Sequence, residues 1–483
     1  MTLTIVGLGP GELDDLSRKA FRTLKQAEMV YLRTAQHGCV SCLPQNDVTY
    51  QAFDDLYETL DDFEQVYETI VSRIIEAAGQ RDVVYAVPGD PLVGESTTTR
   101  LLAAAREKDI PVEIVNGISF VEPSLRLLGI DALDGLQVLD ALQIAAMHHP
   151  PINPDYAALL GQVYSQNVAS DVKLTLMNQY PDDFPVQLIH AAGTPDAVVE
   201  DLPLYEIDRS EHISHMTSLF VPALGEMASF EQFQEIIAHL RAPEGCPWDR
   251  KQTHESLRQF MIEEAYEVLD AIESGDTDSL YEELGDLLLQ IVLHTQIGID
   301  DGEFKMADVL RYVNAKMIRR HPHVWGDVDA DDPDQVVTNW EALKRQEKAD
   351  NGKQDEYLLD SIPKGLPALL QAYQYQARAA KVNFDWPQVD DVIAKVREEM
   401  DEVLAAETPE HQMEEMGDLL FVLVNWARWL KVEPETALRE ANQKFYRRFQ
   451  YIEQQVRATN KQLSDHTLAE LDALWDEAKA NGL

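Results

Sequence analysis

The segment Glu263-Glu264-Ala265-Tyr266-Glu267, followed by Glu283-Leu284-Gly285-Asp286, recurs as Glu398-Glu399-Met400-Asp401-Glu402 followed by Glu415-Met416-Gly417-Asp418. No other feature constrains the fold as strongly. On a helix, residues three and four apart share a face, so Glu263 and Glu264 stand with Glu267, and Glu283 with Asp286. Antiparallel pairing of two such helices brings four or five carboxylates to one point. Carboxylates that close repel, and desolvation adds to the cost. A hard divalent cation relieves both, and an all-oxygen donor set suits Mg2+ or Mn2+. The alternative is a solvated acidic face, which normally interleaves Lys or Arg one turn away. Around the first copy the nearest base is Arg258. Two copies in matching surroundings favour a metal site.

The flanks of the two copies align as well, which marks an internal duplication. EEAYEVLDAI pairs with EEMDEVLAAE, and EELGDLLLQIVLHTQ with EEMGDLLFVLVNWAR. Lys316, Arg319 and Arg320 fall opposite Lys444, Arg447 and Arg448, and Trp340 opposite Trp475. A polar linker, Glu347 to Glu356, separates the repeats. Beyond Pro222 apolar residues recur at spacings of three and four: Phe233, Ile236, Ile237 and Leu240, then Met261, Ala265, Val268 and Ile272, then Leu284, Leu287, Leu288, Ile291 and Val292. That spacing predicts amphipathic helices packed as a bundle. Chemically, the carboxylates would hold a cation, the Lys and Arg would neutralise a polyphosphate, and the Trp would stack on a base. A bound divalent cation lowers the pKa of water and polarises a phosphoryl oxygen. Pairing with acidic neighbours is the other reading for Arg319-Arg320 and Arg447-Arg448, and core packing for the two Trp. His321-Pro322-His323 reads as a structural or phosphate-contacting loop, because the proline interrupts helical spacing.

The first 224 residues read differently. A short buried strand, Leu3 to Val6, runs into Gly7-Leu8-Gly9-Pro10-Gly11, and Leu16, Ala20, Leu24 and Ala27 then follow at helical spacing. Val83 to Val87 leads into Pro88-Gly89-Asp90-Pro91, and Val112 to Val115 into Asn116-Gly117. Three strands each ending in a glycine loop suggest loops gathered at one sheet edge around a ligand. The alternative is three ordinary strand-to-helix turns. Further strands are expected at Val172 to Leu176, Leu188 to Ala191 and Ser218 to Val221. No acid/base pair or nucleophile in this third reads as catalytic.

A formal net charge of -45, spread from end to end, argues against binding nucleic-acid polymers or anionic lipid. No apolar run reaches membrane-spanning length, and the N-terminus lacks the pattern of a signal peptide. Three cysteines, Cys39, Cys42 and Cys246, are the sparse usage of a reducing cytoplasm. Cys39-Val40-Ser41-Cys42, with His37 beside it, has redox or half-zinc spacing, but no second pair completes a four-ligand site.

GLGPGELDDLSRKA, VPGDPLVGESTTTRLL and VNGISFVEPSL resemble the tetrapyrrole (corrin/porphyrin) methylase family from about Thr2 to Leu224. That resemblance implies two α/β lobes holding S-adenosylmethionine, with Gly9, Gly89, Asp90, Gly117, Ser96 and Thr97 as cofactor-binding candidates and an unidentified methyl acceptor. GCPWDRKQTHESLRQFMIEEAYEVLDAI and RRHPHVWGD resemble the MazG nucleoside triphosphate pyrophosphohydrolase family, as does GLPALLQAYQYQARAAKVNFDW at the opening of the second repeat. It implies hydrolysis of nucleoside triphosphates between the α and β phosphates; a homodimer is expected, with the repeats packing on each other or across the dimer. By this resemblance the metal ligands are Glu399, Glu402, Glu415 and Asp418 in the second repeat and Glu264, Glu267, Glu283 and Asp286 in the first. The nucleotide contacts are Lys444, Arg447, Arg448, Trp475, Lys316, Arg319, Arg320 and Trp340, with Glu398 and Glu263 orienting the water. In two-repeat members the C-terminal half alone can turn over. Here the second repeat has Phe384-Asp385-Trp386-Pro387 where the first has Cys-Pro-Trp-Asp, so both sites are assigned, with preference for the second.

The expected architecture is therefore multidomain: an α/β two-lobed methylase-like domain over residues 1–224, then all-α repeats over 225–346 and 357–483. Two rival readings are a methyltransferase with a regulatory helical part, and a nucleotide sensor without turnover.

Overall fold

The computed structural model describes residues 1–60, 62–225, 227–326, 328, 332–350, 357–459 and 461–483. Strands β1 (Leu3–Gly7), β2 (Val30–Leu32), β3 (Tyr50–Ala52), β4 (Val83–Val87) and β5 (Val112–Val115) form a parallel sheet in the order β3-β2-β4-β1-β5. Leu3 pairs with Val83 on one side and Val112 on the other. A parallel sheet covered by helices is buried on both faces, which is why β1 and β4 are nearly continuous apolar runs. One face packs Leu3, Ile5, Tyr85 and Val87 with Ile70, Ile74 and Leu101, and the other packs Val6 and Ala86 with Ala20 and Leu24.

The second sheet, in the order β6-β7-β10-β8-β9, is built from β6 (Gln137–Asp140), β7 (Ala158–Gly161), β8 (Pro185–His190), β9 (Val198–Pro203) and β10 (Thr217–Val221). Only β6 and β7 run parallel; the other pairs are antiparallel. The expected strands at Leu188 and Ser218 coincide with β8 and β10. The one expected at Val172 to Leu176 is instead the end of the helix Gln166–Leu176. Val168, Val172 and Leu176 are spaced by four and turn one buried face to the sheet, and the Ser165 hydroxyl caps the first turn by accepting from the Val168 amide. Helix capping and sheet contact outweigh the strand preference of an isolated valine.

Among the described residues beyond Val221 there is no strand, and no helix long and apolar enough to cross a membrane. The chain divides into two compact units, Met1–Asp308 and Val309–Leu483. Helices Phe230–Arg241, Arg258–Ser274 and Thr277–Asp300 belong to the first, with both sheets. Asp155 ties the N-terminus of Phe230–Arg241 to the second lobe, accepting from the Ser229 hydroxyl and from the amides of Ala228 at 2.7 Å and Ser229 at 3.2 Å.

The second unit holds Pro333–Asp350, Ala368–Ala380, Val389–Ala405, Pro409–Trp429, Pro434–Ala458 and Leu468–Ala480, while Met306–Arg320 crosses the division. Val392, Val396 and Val422 form a buried core in it with Leu419, Trp426 and Trp429. Three local expectations change. The linker's first four residues belong to the helix Pro333–Asp350, and residues 351–356 lie outside the described ones. His321-Pro322-His323 is no loop: Pro322 opens the short helix Pro322–Trp325, because a proline needs no N–H in a first turn. Finally, Leu284, Leu288 and Ile291 are exposed in the single chain, as are their repeat-two counterparts Met416, Leu420 and Leu423.

Candidate functional site

In each repeat a helix hairpin brings three carboxylates together. Arg258–Ser274 packs on Thr277–Asp300, and oxygens of Glu264, Glu267 and Glu283 lie within 4.8 Å of one another. Val389–Ala405 packs on Pro409–Trp429 and gathers Glu399, Glu402 and Glu415 in the same way. Val268 and Ala271 in the first hairpin, and Val392 and Val396 in the second, bury the seam that sets this register.

The clusters differ in how their charge is met. In the first, burial, then the charges of Asp286 and Glu267, push the Glu264 carboxyl above the ordinary glutamate range, and burial with Glu267 and Asp286 does the same to Glu283. With oxygens within 4.8 Å of each other, Glu264 and Glu267 repel unless a proton or a cation intervenes. In the second cluster Lys395 Nζ lies 2.7 Å from both Glu398 Oε1 and Glu399 Oε1, and His411 Nε2 lies 2.9 Å from Glu415. These pairs hold Lys395 well above its usual range, while burial and the Glu399 charge raise Glu402. Glu399 is 4% exposed, and its Oε2 is buried with no hydrogen-bond partner. A buried carboxylate oxygen without a donor is costly unless a cation completes it. The donor set is all oxygen, which fits Mg2+ or Mn2+.

The remaining predicted residues divide clearly. Glu263 is exposed and accepts from Gln259 Nε2 at 2.7 Å; Glu398 is exposed and held by Lys395. Asp286 is near enough for its charge to act on Glu264 and Glu283, whereas Asp418 is exposed one turn beyond Glu415. Arg319 and Arg320 both clasp Glu347, at 2.7 and 2.6 Å, and this holds Glu347 down at about 2. Lys316 lies over the Tyr312 ring, and Trp340 rests 5.6 Å from the His321 ring. In the second repeat Lys444 and Arg447 are exposed and have no ion-pair partner among the described residues. Arg448 instead stacks over Trp475 at 5.4 Å, with Phe445 against the same ring. Lys395, His411 and Glu347 escaped the sequence reading. Lys395, one turn before Glu399, and His411, one turn before Glu415, had a legible signal.

In the first unit the three glycine loops meet at the carboxyl ends of β1, β4 and β5. A Cβ on Gly7 would lie 2.5 Å from the Gly89 carbonyl oxygen, and one on Gly117 only 2.2 Å from it. Gly9 and Gly89 exchange backbone hydrogen bonds, and both have positive φ. Asp90 is buried and locks the loops together, Oδ2 accepting from the Gly117 amide at 3.1 Å and Oδ1 from the Leu92 amide at 2.9 Å. Ser96 is exposed at the start of the next helix. Thr97 is fully buried, its hydroxyl bonded to Glu95 and Tyr85. Buried Glu95 in turn binds the partly buried Arg33 at 2.6 Å, a pair the sequence reading missed.

Residues 2–208 match the tetrapyrrole (corrin/porphyrin) methylases, residues 252–325 the MazG nucleotide pyrophosphohydrolase domain, and residues 374–445 phosphoribosyl-ATP pyrophosphohydrolase. Over its helical half the chain is 44% identical to the nucleoside triphosphate pyrophosphohydrolase/pyrophosphatase MazG of Thermotoga maritima, covering 52% of this chain and 95% of that protein. It is 41% identical to the nucleoside triphosphate pyrophosphohydrolase of Escherichia coli, covering 52% and 98%. Along almost its whole length it is 44% identical to YabN of Bacillus subtilis, covering 99% of this chain and 98% of YabN. The chain belongs to the MazG family, in the YabN-type branch that carries a tetrapyrrole methylase domain ahead of the helical repeats.

Proposed function

We propose that the chain is a Mg2+-dependent nucleoside triphosphate pyrophosphohydrolase that converts a nucleoside triphosphate and water to the monophosphate and pyrophosphate. Its N-terminal domain, residues 1–224, binds S-adenosylmethionine at the Gly9, Gly89, Asp90 and Gly117 loops and serves an unidentified methyl acceptor. The helical repeats occupy 225–346 and 357–483. The single observation that carries the hydrolase reading is Glu399, whose buried Oε2 lacks a donor beside Glu402 and Glu415.

A divalent cation at that point supplies Lewis-acid polarisation of the phosphoryl oxygens and a lowered water pKa. Glu399, Glu402 and Glu415 hold it, with Asp418 on the adjoining turn. Glu398 takes a proton from the water that attacks the α-phosphorus, and the bond to the β-phosphate oxygen breaks. Lys444 and Arg447 neutralise the phosphate chain, and Trp475, braced by Arg448, stacks on the base. Because Arg319 and Arg320 are engaged by Glu347 while Lys444 and Arg447 are unpaired among the described residues, we place turnover in the second repeat. Exposed apolar side chains in the first repeat, Leu284, Leu288 and Ile291, and separately in the second, Met416, Leu420 and Leu423, support a homodimer, and sparse free cysteines support a reducing cytoplasm.

The test is pyrophosphate release from a panel of ribo- and deoxyribonucleoside triphosphates with Mg2+, comparing wild type with Glu264→Gln and Glu399→Gln. Loss of at least about a hundredfold in Glu399→Gln alone supports the reading. Loss in Glu264→Gln alone moves the chemistry to the first repeat. Nucleotide binding without product in wild type refutes hydrolysis in favour of a sensor.

A further inference from the structure

The Cys39-Val40-Ser41-Cys42 segment has no part in hydrolysis, yet it is built into the glycine turn. It forms the 3-10 helix Gly38–Cys42, and a Cβ on Gly38 would come within 2.4 Å of the Gly11 carbonyl oxygen. His37 leads into that helix. Its Nε2 lies 3.0 Å from the Gly9 carbonyl oxygen and its Nδ1 lies 3.2 Å from Cys39 Sγ. A neutral imidazole has one donor and one acceptor, and a carbonyl only accepts. The Nε2–H therefore donates to Gly9, and Nδ1 accepts from the Cys39 thiol. Thiol, imidazole and turn form one chain of hydrogen bonds, on the same Gly9 that pairs with Gly89.

In a 3-10 helix residues three apart eclipse, and a rise of about 2 Å per residue separates them by about 6 Å. Disulfides span Cα distances of about 4.4–6.8 Å. Cys39 and Cys42 thus stand on one edge of the helix with Cα atoms in the disulfide range, but eclipsed Cβ atoms are also about 6 Å apart and a disulfide needs about 3.5–4.5 Å, so closing the bridge must distort the helix. A metal does not explain the group: among the described residues only the two carboxylate clusters bring three such ligands within 4.8 Å.

We propose that Cys39 and Cys42 form a dithiol–disulfide site whose oxidation releases His37 from the thiol and loosens the glycine turn. Its output rests on the reading that this turn binds S-adenosylmethionine; the site itself does not. Cys42 is partly exposed, whereas Cys39 is buried, and burial pushes its thiol up to about 11. Cys42 is therefore the opening nucleophile. As thiolate it attacks a low-molecular-weight disulfide such as oxidised glutathione, forming a mixed disulfide and releasing one glutathione. Cys39 Sγ, giving its proton to His37 Nδ1, then displaces the second glutathione from Cys42. Two electrons pass from the cysteine pair to the glutathione disulfide, and the two departing thiolates take up the two protons.

The experiment uses full-length protein carrying Cys246→Ser, equilibrated in glutathione redox buffers. Peptide mass spectrometry reads the Cys39–Cys42 link, hydrogen exchange reads the Gly7–Gly11 turn, and calorimetry reads S-adenosylmethionine affinity. Oxidation is expected to form the link, speed exchange in the turn and weaken the cofactor by at least about fivefold, all reversed by dithiothreitol. Adding Cys42→Ser is expected to leave affinity and exchange at the reduced values in every buffer. No intramolecular link in fully oxidising buffer overturns the proposal, as does a link that forms with turn exchange unchanged. Reduced protein that binds no S-adenosylmethionine overturns the cofactor reading instead, and link and exchange still judge the redox site.

Discussion

Replacing Lys395 by Met would remove the internal cation of the second cluster while keeping the length and apolar stem of the side chain. Lys395 serves two carboxylates of very different standing. Glu398 is 58% exposed, so its share is worth roughly 0–1 kcal/mol. The Glu399 side chain alone is 5% exposed, and breaking a buried pair from one side costs about 3–5 kcal/mol. One effect reduces that figure: Lys395 is itself 32% exposed and partly screened by water. A loss of about 2 kcal/mol in the metal-free protein is expected, or roughly 30-fold faster hydrogen exchange in the helix Val389–Ala405. Saturating Mg2+ should erase most of the difference, because the cation then meets the charge that Lys395 had met. Hydrogen exchange measured with and without Mg2+ decides the matter. An equal loss in both conditions would mean that Lys395 and the metal do not compete for Glu399, and the metal assignment would fall with it.

Glu347→Gln removes the acceptor of both Arg319 and Arg320 and should cost about 1–2 kcal/mol at pH 7. The folded value of Glu347, about 2, lies below its ordinary one, so its contribution is full above about pH 4.5 and fades as pH falls toward 2. The gap between variant and wild type in urea melts should narrow over that window; a gap that widens on acidification contradicts the ion-pair account. Gly117→Ala puts a Cβ 2.2 Å from the Gly89 carbonyl oxygen and should abolish S-adenosylmethionine binding in calorimetry while sparing pyrophosphate release. Retained cofactor affinity in that variant would show that the three loops do not form the cofactor site.

Much of this molecule was legible in the chain itself. β4 begins and ends where its apolar run does, because a strand buried on both faces needs apolar side chains at every position, whereas β5 lies at the sheet edge and leaves Glu113 exposed. The carboxylates at three- and four-residue spacing announced their shared face, and the duplication announced that it occurs twice. Short-range geometry decides such features, and a sequence records short-range geometry directly. β2 and β3, of three residues each, were too short to leave a pattern. Val172 was misread because its partners Val168 and Leu176 act together only when a sheet lies beneath them.

What tertiary structure alone decided is which charges meet. Glu264, Glu267 and Glu283 converge while Asp286 stays at the margin, since the crossing of two helices chooses among residues that the helical period treats as equal. Glu347 reaches back to Arg319 and Arg320 across 28 and 27 residues, and Arg33 finds Glu95 across 62. The burial that makes Glu399 Oε2 an orphan belongs to packing and to no spacing. Local periodicity places a side chain on a face; only the folded chain sets the distance and the solvent exposure on which electrostatic energy depends.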